Sequence, residues 1–361
     1  MKTIVFKTMS KQSSFHKDFK LNNNSFSSVD ELLAFSFTIS DEIYSFLNSW
    51  FSSSDTIFVQ TSGSTGIPKP ILLKKQQMIN SALATGDFFD TKEKTLALLC
   101  LSPAYIAGKM MLVRAITLGW HLDVITPDAN PLQNLDKYYD FTAMVPLQLK
   151  NSITYLSHVK KIIVGGGVVS NELQDEIQNT KCKIFATYGM TETITHIAIK
   201  PLNNQPDEML SCGKKSFYEI LPNIQIYKDQ RDCLVIEAPK VSNEIIFTND
   251  VVDLISDTKF EWLGRHDHVI NSGGVKLYPE KIEEKLSKII SNRFFVAGIP
   301  DTVFGEKLIV IIEGQEVDLD FNSVNLSKFE KPKEVYFIQN FKETTTKKIQ
   351  RKKTLDLILQ H

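Results

Sequence analysis

Thr61-Ser62-Gly63-Ser64-Thr65-Gly66-Ile67-Pro68-Lys69 is the stretch on which the reading of this chain turns. It sets four hydroxyl side chains, two glycines and a lysine into nine consecutive positions. Glycines let the backbone turn sharply and come close to a ligand, while hydroxyls, free amides and an ammonium offer hydrogen bonds and charge to an anion. The flanks, Asp55 to Gln60 and Pro70 to Lys74, are short and β-prone, so the loop joins two strands. That setting, and a lysine preceded by Pro68, departs from the strand-to-helix phosphate loop with its G-x-x-x-x-G-K-[ST] pattern. An ordinary solvated turn has the same composition, so the loop takes its meaning from the rest of the chain.

Outward from the loop, apolar runs and helical stretches alternate. Lys75 to Phe89 reads as a helix, Leu96 to Leu101 as a buried strand, and Ala107 to Leu118 as a second helix. His121 to Ile125, Phe141 to Val145 and Lys161 to Val164 are further strands, the last running into Gly165-Gly166-Gly167 and a helix over Asn171 to Asn179. Lys183 to Thr187 leads into Tyr188-Gly189-Met190-Thr191-Glu192-Thr193. The alternation predicts an α/β fold with mainly parallel sheets, whose ligands bind at the carboxyl ends of the strands. From Ile197 to Asp257 short β-rich segments predict a small β subdomain. After a turn at Gly264-Arg265-His266-Asp267 comes an α+β tail. There Ile282, Leu286, Ile289 and Ile290 form one apolar helix face begun by Pro279, and Phe294 to Ala297 and Leu308 to Ile312 read as strands.

Composition narrows the function classes. Over 361 residues, Lys+Arg 41 against Asp+Glu 42 leaves a net charge of -1, so there is no global basic field for nucleic acid or a membrane. Cys100, Cys182, Cys212 and Cys233 form no C-x-x-C pair, which argues for reduced thiols and against zinc. Met1 to Phe6 runs straight into polar sequence without an apolar signal region. The run Leu96 to Leu101 is too short to span a bilayer, and Lys109 and Arg114 interrupt the next one. A soluble, cytoplasmic protein is expected, with homo-oligomerisation left open.

Thr61–Lys69, Tyr188–Thr193, Asp250, Gly264–Asp267, Ser272–Gly274 and the lysine-rich end resemble, in order, the motifs of the adenylate-forming (AMP-binding) acyl-CoA synthetase superfamily. The resemblance spans roughly residues 55 to 355. Within it, Gly165–Gly167 and Thr187–Thr193 with His196 are most similar to the branch of o-succinylbenzoate–CoA ligases. It implies a large N-terminal domain over residues 1–264, shortened at its start, and a mobile C-terminal domain over 265–361 with its hinge at Asp267. It also implies activation of a small-molecule carboxylate by ATP with Mg²⁺ as an acyl-adenylate, then transfer to coenzyme A.

The same resemblance assigns roles. Thr61, Ser62, Gly63, Ser64, Thr65 and Lys69 would wrap the β- and γ-phosphates. Tyr188 would stack on the adenine, with Thr187 and Gly189 beside it in the nucleotide site, and Gly165, Gly166 and Gly167 would let the backbone approach the other side of the base or the acyl group. Thr191 would meet the α-phosphate and Glu192 hold the metal, while Asp250 and Arg265 reach the ribose. Ser272, Gly273 and Gly274 would face coenzyme A. Lys348 is the expected catalytic lysine, with Lys347 adjacent where the family usually has glycine. Tyr105, Arg114 and His196 are candidates for the acyl pocket, with Arg114 a partner for a second carboxylate.

Each assignment has a plainer counterpart. Arg114 could be a surface ion-pair former, Tyr188 a core residue, Glu192 a helix-start carboxylate and the lysines a basic surface tail. His266 and His268 read as a solvated turn, not a metal site. Asn249 stands where the family has glycine, and Pro103 to Gly108 lacks the family's histidine. Another acyl- or aryl-CoA ligase, a domain that loads a carrier protein, and a degenerate nucleotide-binding protein therefore stay open as alternatives.

Overall fold

The computed structural model describes residues 14–60, 70–203, 217–344 and 349–359. Its largest feature is a 12-stranded sheet with two halves of different character. In the first half Lys20–Leu21, His121–Val124, Leu96–Leu99, Tyr139–Met144, Val159–Val164 and Lys183–Gly189 lie side by side, all parallel. These strands read as continuous apolar runs because helices cover them: Ile162, Ile163 and Val164 are all buried. The helix Ile106–Leu118 is buried nearly all round from Met110 to Ile116 and ends on Gly119 in the left-handed conformation.

The sheet then changes hand. His196–Pro201 returns antiparallel to Lys183–Gly189, and Tyr218–Ile220, Lys259–Arg265, Ile246–Ser256, Cys233–Glu237 and Gln225–Lys228 continue antiparallel to the edge. The β-rich segment expected as a subdomain is thus hydrogen-bonded into the main sheet as its antiparallel half. Parallel strands bring their carboxyl ends to one edge, so Val145-Pro146, Gly165–Gly167 and Met190–Thr193 emerge together there.

The expected strand–loop–strand setting of the glycine-rich stretch is present. Thr56–Gln60 and Pro70–Lys74 form an antiparallel hairpin whose last pair is Gln60 with Pro70. Ile57, Val59 and Leu73 face the core while Phe58 and Leu72 are exposed, the alternation of a half-buried ribbon. Residues 61–69 themselves lie outside the described residues.

After Arg265 the main sheet ends, and a 5-stranded sheet begins at Ile270. Gly305–Glu313 is its centre, paired with Phe294–Asp301, Ile270–Ser272 and Glu334–Ile338. The helix Pro279–Leu286, with Pro279 in its first turn, packs on Lys259–Arg265 of the main sheet, where Lys281 Nζ meets Glu261 at 2.6 Å. The helix expected over Asn171 to Asn179 stops at Glu176, and the next residues tighten into turns onto Asp175 and Ile177. Among the described residues no helix is long and apolar enough to cross a membrane.

Candidate active site

At the carboxyl edge the parallel strands deliver their glycines against one another. The Gly165 N–H donates to Met144 O at 3.1 Å, and the Thr187 hydroxyl donates to Val164 O at 3.1 Å. A Cβ on Gly165 would stand 2.7 Å from the Thr187 oxygen, so only glycine lets these two strand ends close up. Gly189 has a different reason. The register slips between Tyr188 and Gly189, and a Cβ at Gly189 would lie 2.0 Å from the Thr195 carbonyl oxygen.

Between Gly189 and His196 the chain makes a tight turn. Thr191, Glu192 and Thr193 form one turn of 3₁₀ helix, with the buried Thr193 hydroxyl accepting from Met190 N at 3.0 Å. Ile194 follows at φ 67 and ψ -63, and Thr195 N donates to Thr193 O at 2.8 Å. That is a γ-turn of positive φ on a β-branched residue, a strained conformation of the kind that gathers at functional sites. Glu192 is exposed and has no hydrogen bond or ion pair among the described residues, and the hairpin strand Pro70–Lys74 lies beside the turn.

Four side chains meet around Asp250, which is 8% exposed. The Tyr188 hydroxyl donates to Oδ2 at 2.6 Å and the Trp262 indole N–H to Oδ1 at 3.1 Å. Arg265 Nη1 lies 3.9 Å from Oδ1, and Asp250 N donates to the Thr248 hydroxyl at 3.0 Å. Burial, then the neighbouring Asp250 charge, pushes the Tyr188 phenol well above its ordinary pKa, so it stays a donor. The Tyr188 ring also meets Tyr218 and Phe260 edge-on, at 5.9 and 5.2 Å between centroids. Asn249, where glycine was expected, accepts a hydrogen bond from Arg231 at 2.9 Å.

Arg265 also donates to Asp267 at 3.1 Å. Burial opposes the charged form of Asp267, but the Arg265 guanidinium and hydrogen bonds outweigh it and hold the carboxyl below its ordinary value. His266 is exposed, yet His268 is not part of a solvated turn as expected, because its Nδ1 lies 2.5 Å from Glu280 Oε1. No group of three or more metal-ligating side chains exists among the described residues. Gly273 and Gly274, at φ +58 and +81, form the two-residue turn between Ile270–Ser272 and Val275–Leu277, which demands positive φ at both positions. Ser272 is buried beside them.

A second cluster forms behind the turn. Arg114, expected as either a substrate residue or a surface ion-pair former, is 2% exposed in the middle of its helix. Its Nε donates to Thr85 Oγ1 and its Nη2 to Thr195 Oγ1, each at 3.3 Å, and Nη1 reaches Met111 Sδ at 3.7 Å. No carboxylate pairs with it among the described residues. Desolvation alone lowers it to about 10, so it still carries its charge at neutral pH. His196, also buried, shares Thr85 Oγ1 at 3.3 Å; burial and then Arg114 push it down to about 3, which leaves it neutral. The hydroxyls of Ser81 and Thr195 close the cluster at 3.1 Å. Tyr105, half exposed at the other end of the Arg114 helix, is not part of it.

The sequence reading missed Trp262, Thr85, Ser81 and Thr195. Lys347 and Lys348 lie outside the described residues; the segment that carries them is bounded by a bridge between Glu343 and Ile349 and by Gln350 N donating to Lys342 O at 2.7 Å.

A family model described as AMP-binding enzyme matches residues 20–231, more than half of the chain. The chain belongs to the AMP-binding enzyme family. It is 37% identical to an acyl-CoA synthetase (AMP-forming)/AMP-acid ligase II-like protein from Dyadobacter fermentans, with a TM-score of 0.58, over 88% of this chain and 93% of that one. It is 25% identical to the 2-succinylbenzoate–CoA ligase of Bacillus cytotoxicus, over 83% of this chain and 69% of that protein. The fold is also that of the O-succinylbenzoate coenzyme A synthetase of Bacillus subtilis, solved with ATP and a magnesium ion (TM-score 0.72, 16% identity, 91% of this chain and 82% of that one).

Proposed function

We propose that this family member is an ATP-dependent acid–thiol ligase whose acid is o-succinylbenzoate. The observation that carries the substrate is Arg114, a buried cation surrounded by hydroxyls and a thioether, with no carboxylate to neutralise it among the described residues. A buried charge without a partner is costly. A dicarboxylate can bring one carboxylate to Arg114 and react through the other.

In the first half-reaction a carboxylate oxygen attacks the α-phosphorus of ATP, the bond to the β-phosphate oxygen breaks, and pyrophosphate leaves. In the second the thiol of coenzyme A attacks the acyl carbon, loses its proton, and expels AMP. Asp250 and Arg265 take the ribose, Gly165–Gly167, Thr187, Tyr188 and Gly189 flank the base, and Thr191 donates to the α-phosphate. Glu192 suits Mg²⁺, because it is an exposed carboxylate without a partner among the described residues, in the same turn as Thr191, and Mg²⁺ is commonly held by one or two carboxylates plus phosphate oxygens and waters. The metal supplies charge neutralisation at the phosphoryl oxygens. Lys348 stabilises the attacking carboxylate and the developing charge, and Thr61–Lys69 holds the departing pyrophosphate. The region after Arg265 swings about Asp267 between half-reactions, presenting Ser272, Gly273 and Gly274 to coenzyme A.

Thioester formation screened with o-succinylbenzoate beside benzoates and fatty acids tests the substrate. Turnover of o-succinylbenzoate is expected, and activity only with the others rules it out. Lys348→Ala should abolish ATP–pyrophosphate exchange while sparing thioester formation from preformed acyl-adenylate; equal loss of both steps contradicts its role.

A further inference from the structure

We propose that Trp262 is the positioning residue that aims the Asp250 carboxylate at the ribose of the bound nucleotide, and so makes the site select a ribonucleotide over its 2′-deoxy counterpart. The inference rests on the reading that Asp250 contacts the ribose.

Ile246–Ser256 and Lys259–Arg265 pair antiparallel, with Asp250 opposite Arg265 and Val251 opposite Gly264. Unbroken pairing would then set Val252 opposite Leu263. Instead Val252 faces Trp262, because the register slips by one residue on the Trp262 strand. Cross-strand partners share a face of the sheet, and so do residues two apart. Asp250 and Val252 are therefore on one face with Arg265, and the bulge turns Trp262 onto that face as well. Without it Trp262 would point to the other side, and Leu263 would stand beside Asp250. Bulges commonly re-aim a side chain in this way beside active sites.

The consequence is a carboxylate held at both oxygens. Tyr188 donates to Oδ2 and Trp262 to Oδ1, and the Arg265 guanidinium supplies charge from the same side as Oδ1. Two rigid aromatic donors, one on each oxygen, fix the plane of the carboxyl group. Each carboxylate oxygen accepts more than one hydrogen bond, so the capacity left over is presented in a set direction. A pair of vicinal hydroxyls matches a pair of fixed acceptors. A site arranged to bond a hydroxyl discriminates strongly against the analogue that lacks it. Removal of the indole N–H frees Oδ1, and the carboxyl can then rotate about the oxygen that Tyr188 holds.

The test is equilibrium binding of ATP and of 2′-deoxy-ATP, each with Mg²⁺, to the full chain by calorimetry, which needs no knowledge of the carboxylate substrate. Trp262→Phe keeps an aromatic ring and loses the donor. It should weaken ATP binding about tenfold, on the scale of a lost hydrogen bond to a charged group, and leave 2′-deoxy-ATP within about twofold of wild type. The preference for the ribonucleotide then nearly vanishes. Trp262→His, which retains a ring N–H, should recover part of that preference and is the second variant if the first folds poorly. A purely structural Trp262 would lower both affinities together with the melting temperature, and that result overturns the proposal. So does wild-type protein that binds the two nucleotides equally, or a Trp262→Phe protein with its preference intact while Asp250→Ala has lost it. If Asp250→Ala itself keeps the preference, the placement of Asp250 at the ribose is wrong, and the role of Trp262 falls with it.

Discussion

Around Asp250 each carboxylate oxygen has its own donor and an arginine stands within 4 Å, whereas the Arg114 guanidinium is more deeply buried and among the described residues meets only hydroxyls and a sulfur. In the first arrangement both carboxylate oxygens already have donors and Asp250 shares the Arg265 cation with Asp267, so what it has left to offer is direction. It suits an uncharged group such as a sugar hydroxyl. The second is a buried positive charge with no anionic partner among the described residues, and what it offers is an unmet electrostatic demand. The two clusters are joined by the strained turn from Gly189 to His196, so the molecule sets a pre-satisfied site and an unsatisfied one at either end of a single segment.

The sharpest way to break this contrast is Arg114→Met, a change close in volume that removes the charge. If the charge exists for a ligand, kcat/KM for o-succinylbenzoate should fall by about two to three orders of magnitude, as expected when a carboxylate loses its buried partner. Benzoate turnover should change far less. Stability should hold or rise by about 1 kcal/mol, because replacement of an uncompensated buried ion by an apolar side chain is often neutral or favourable. Urea unfolding beside steady-state kinetics decides it: a variant that loses stability and keeps its activity makes Arg114 structural.

Gly189→Ala addresses the segment between the clusters. Its Cβ would stand 2.0 Å from Thr195 O, and Thr195 is one of the hydroxyls on Arg114. The chain must shift there, which should cost about 2–4 kcal/mol of stability and weaken both nucleotide and acid binding. Loss of one binding function alone would show that the clusters are not coupled through the turn. Thermal unfolding and the two KM values measure this.

How much of this was legible in the sequence follows from which interactions are local. The strand-end positions of Gly165–Gly167 and Tyr188–Thr193 were readable, because apolar runs and glycines fix where a parallel strand stops. The hairpin around residues 61–69 was readable for the same reason. Trp262 was not, since its orientation depends on a one-residue slip between two strands, and no pattern in either strand announces it. The burial of Arg114 was also hidden. Lys109 on the same helix reaches out to Pro103 O and Ala104 O, and from sequence the two basic residues look alike. Only the packing of Thr85, Met111 and Thr195 around the guanidinium distinguishes them.

His196 provides the mildest test, and it depends on the sign of a titration. Its folded pKa is pushed down to about 3 by burial and then by Arg114, while the unfolded chain binds a proton near the ordinary value of 6.5. Between those values the unfolded state holds more protons, so stability is fully present above about 6.5 and declines as the pH falls toward 3. One such group contributes a slope of at most about 1.4 kcal/mol per pH unit. His196→Gln, which can still bond Thr85, should therefore unfold with a flatter pH dependence than wild type across that window and match its slope at pH 7.5. The two clusters predict different ligand effects on this slope. A dicarboxylate bound at Arg114 offsets the charge that helps hold His196 neutral, so its pKa rises and the wild-type slope flattens. ATP alone, held at the Asp250 cluster, should leave the slope unchanged. If o-succinylbenzoate shifts the pH dependence no more than ATP does, the anion does not reach Arg114.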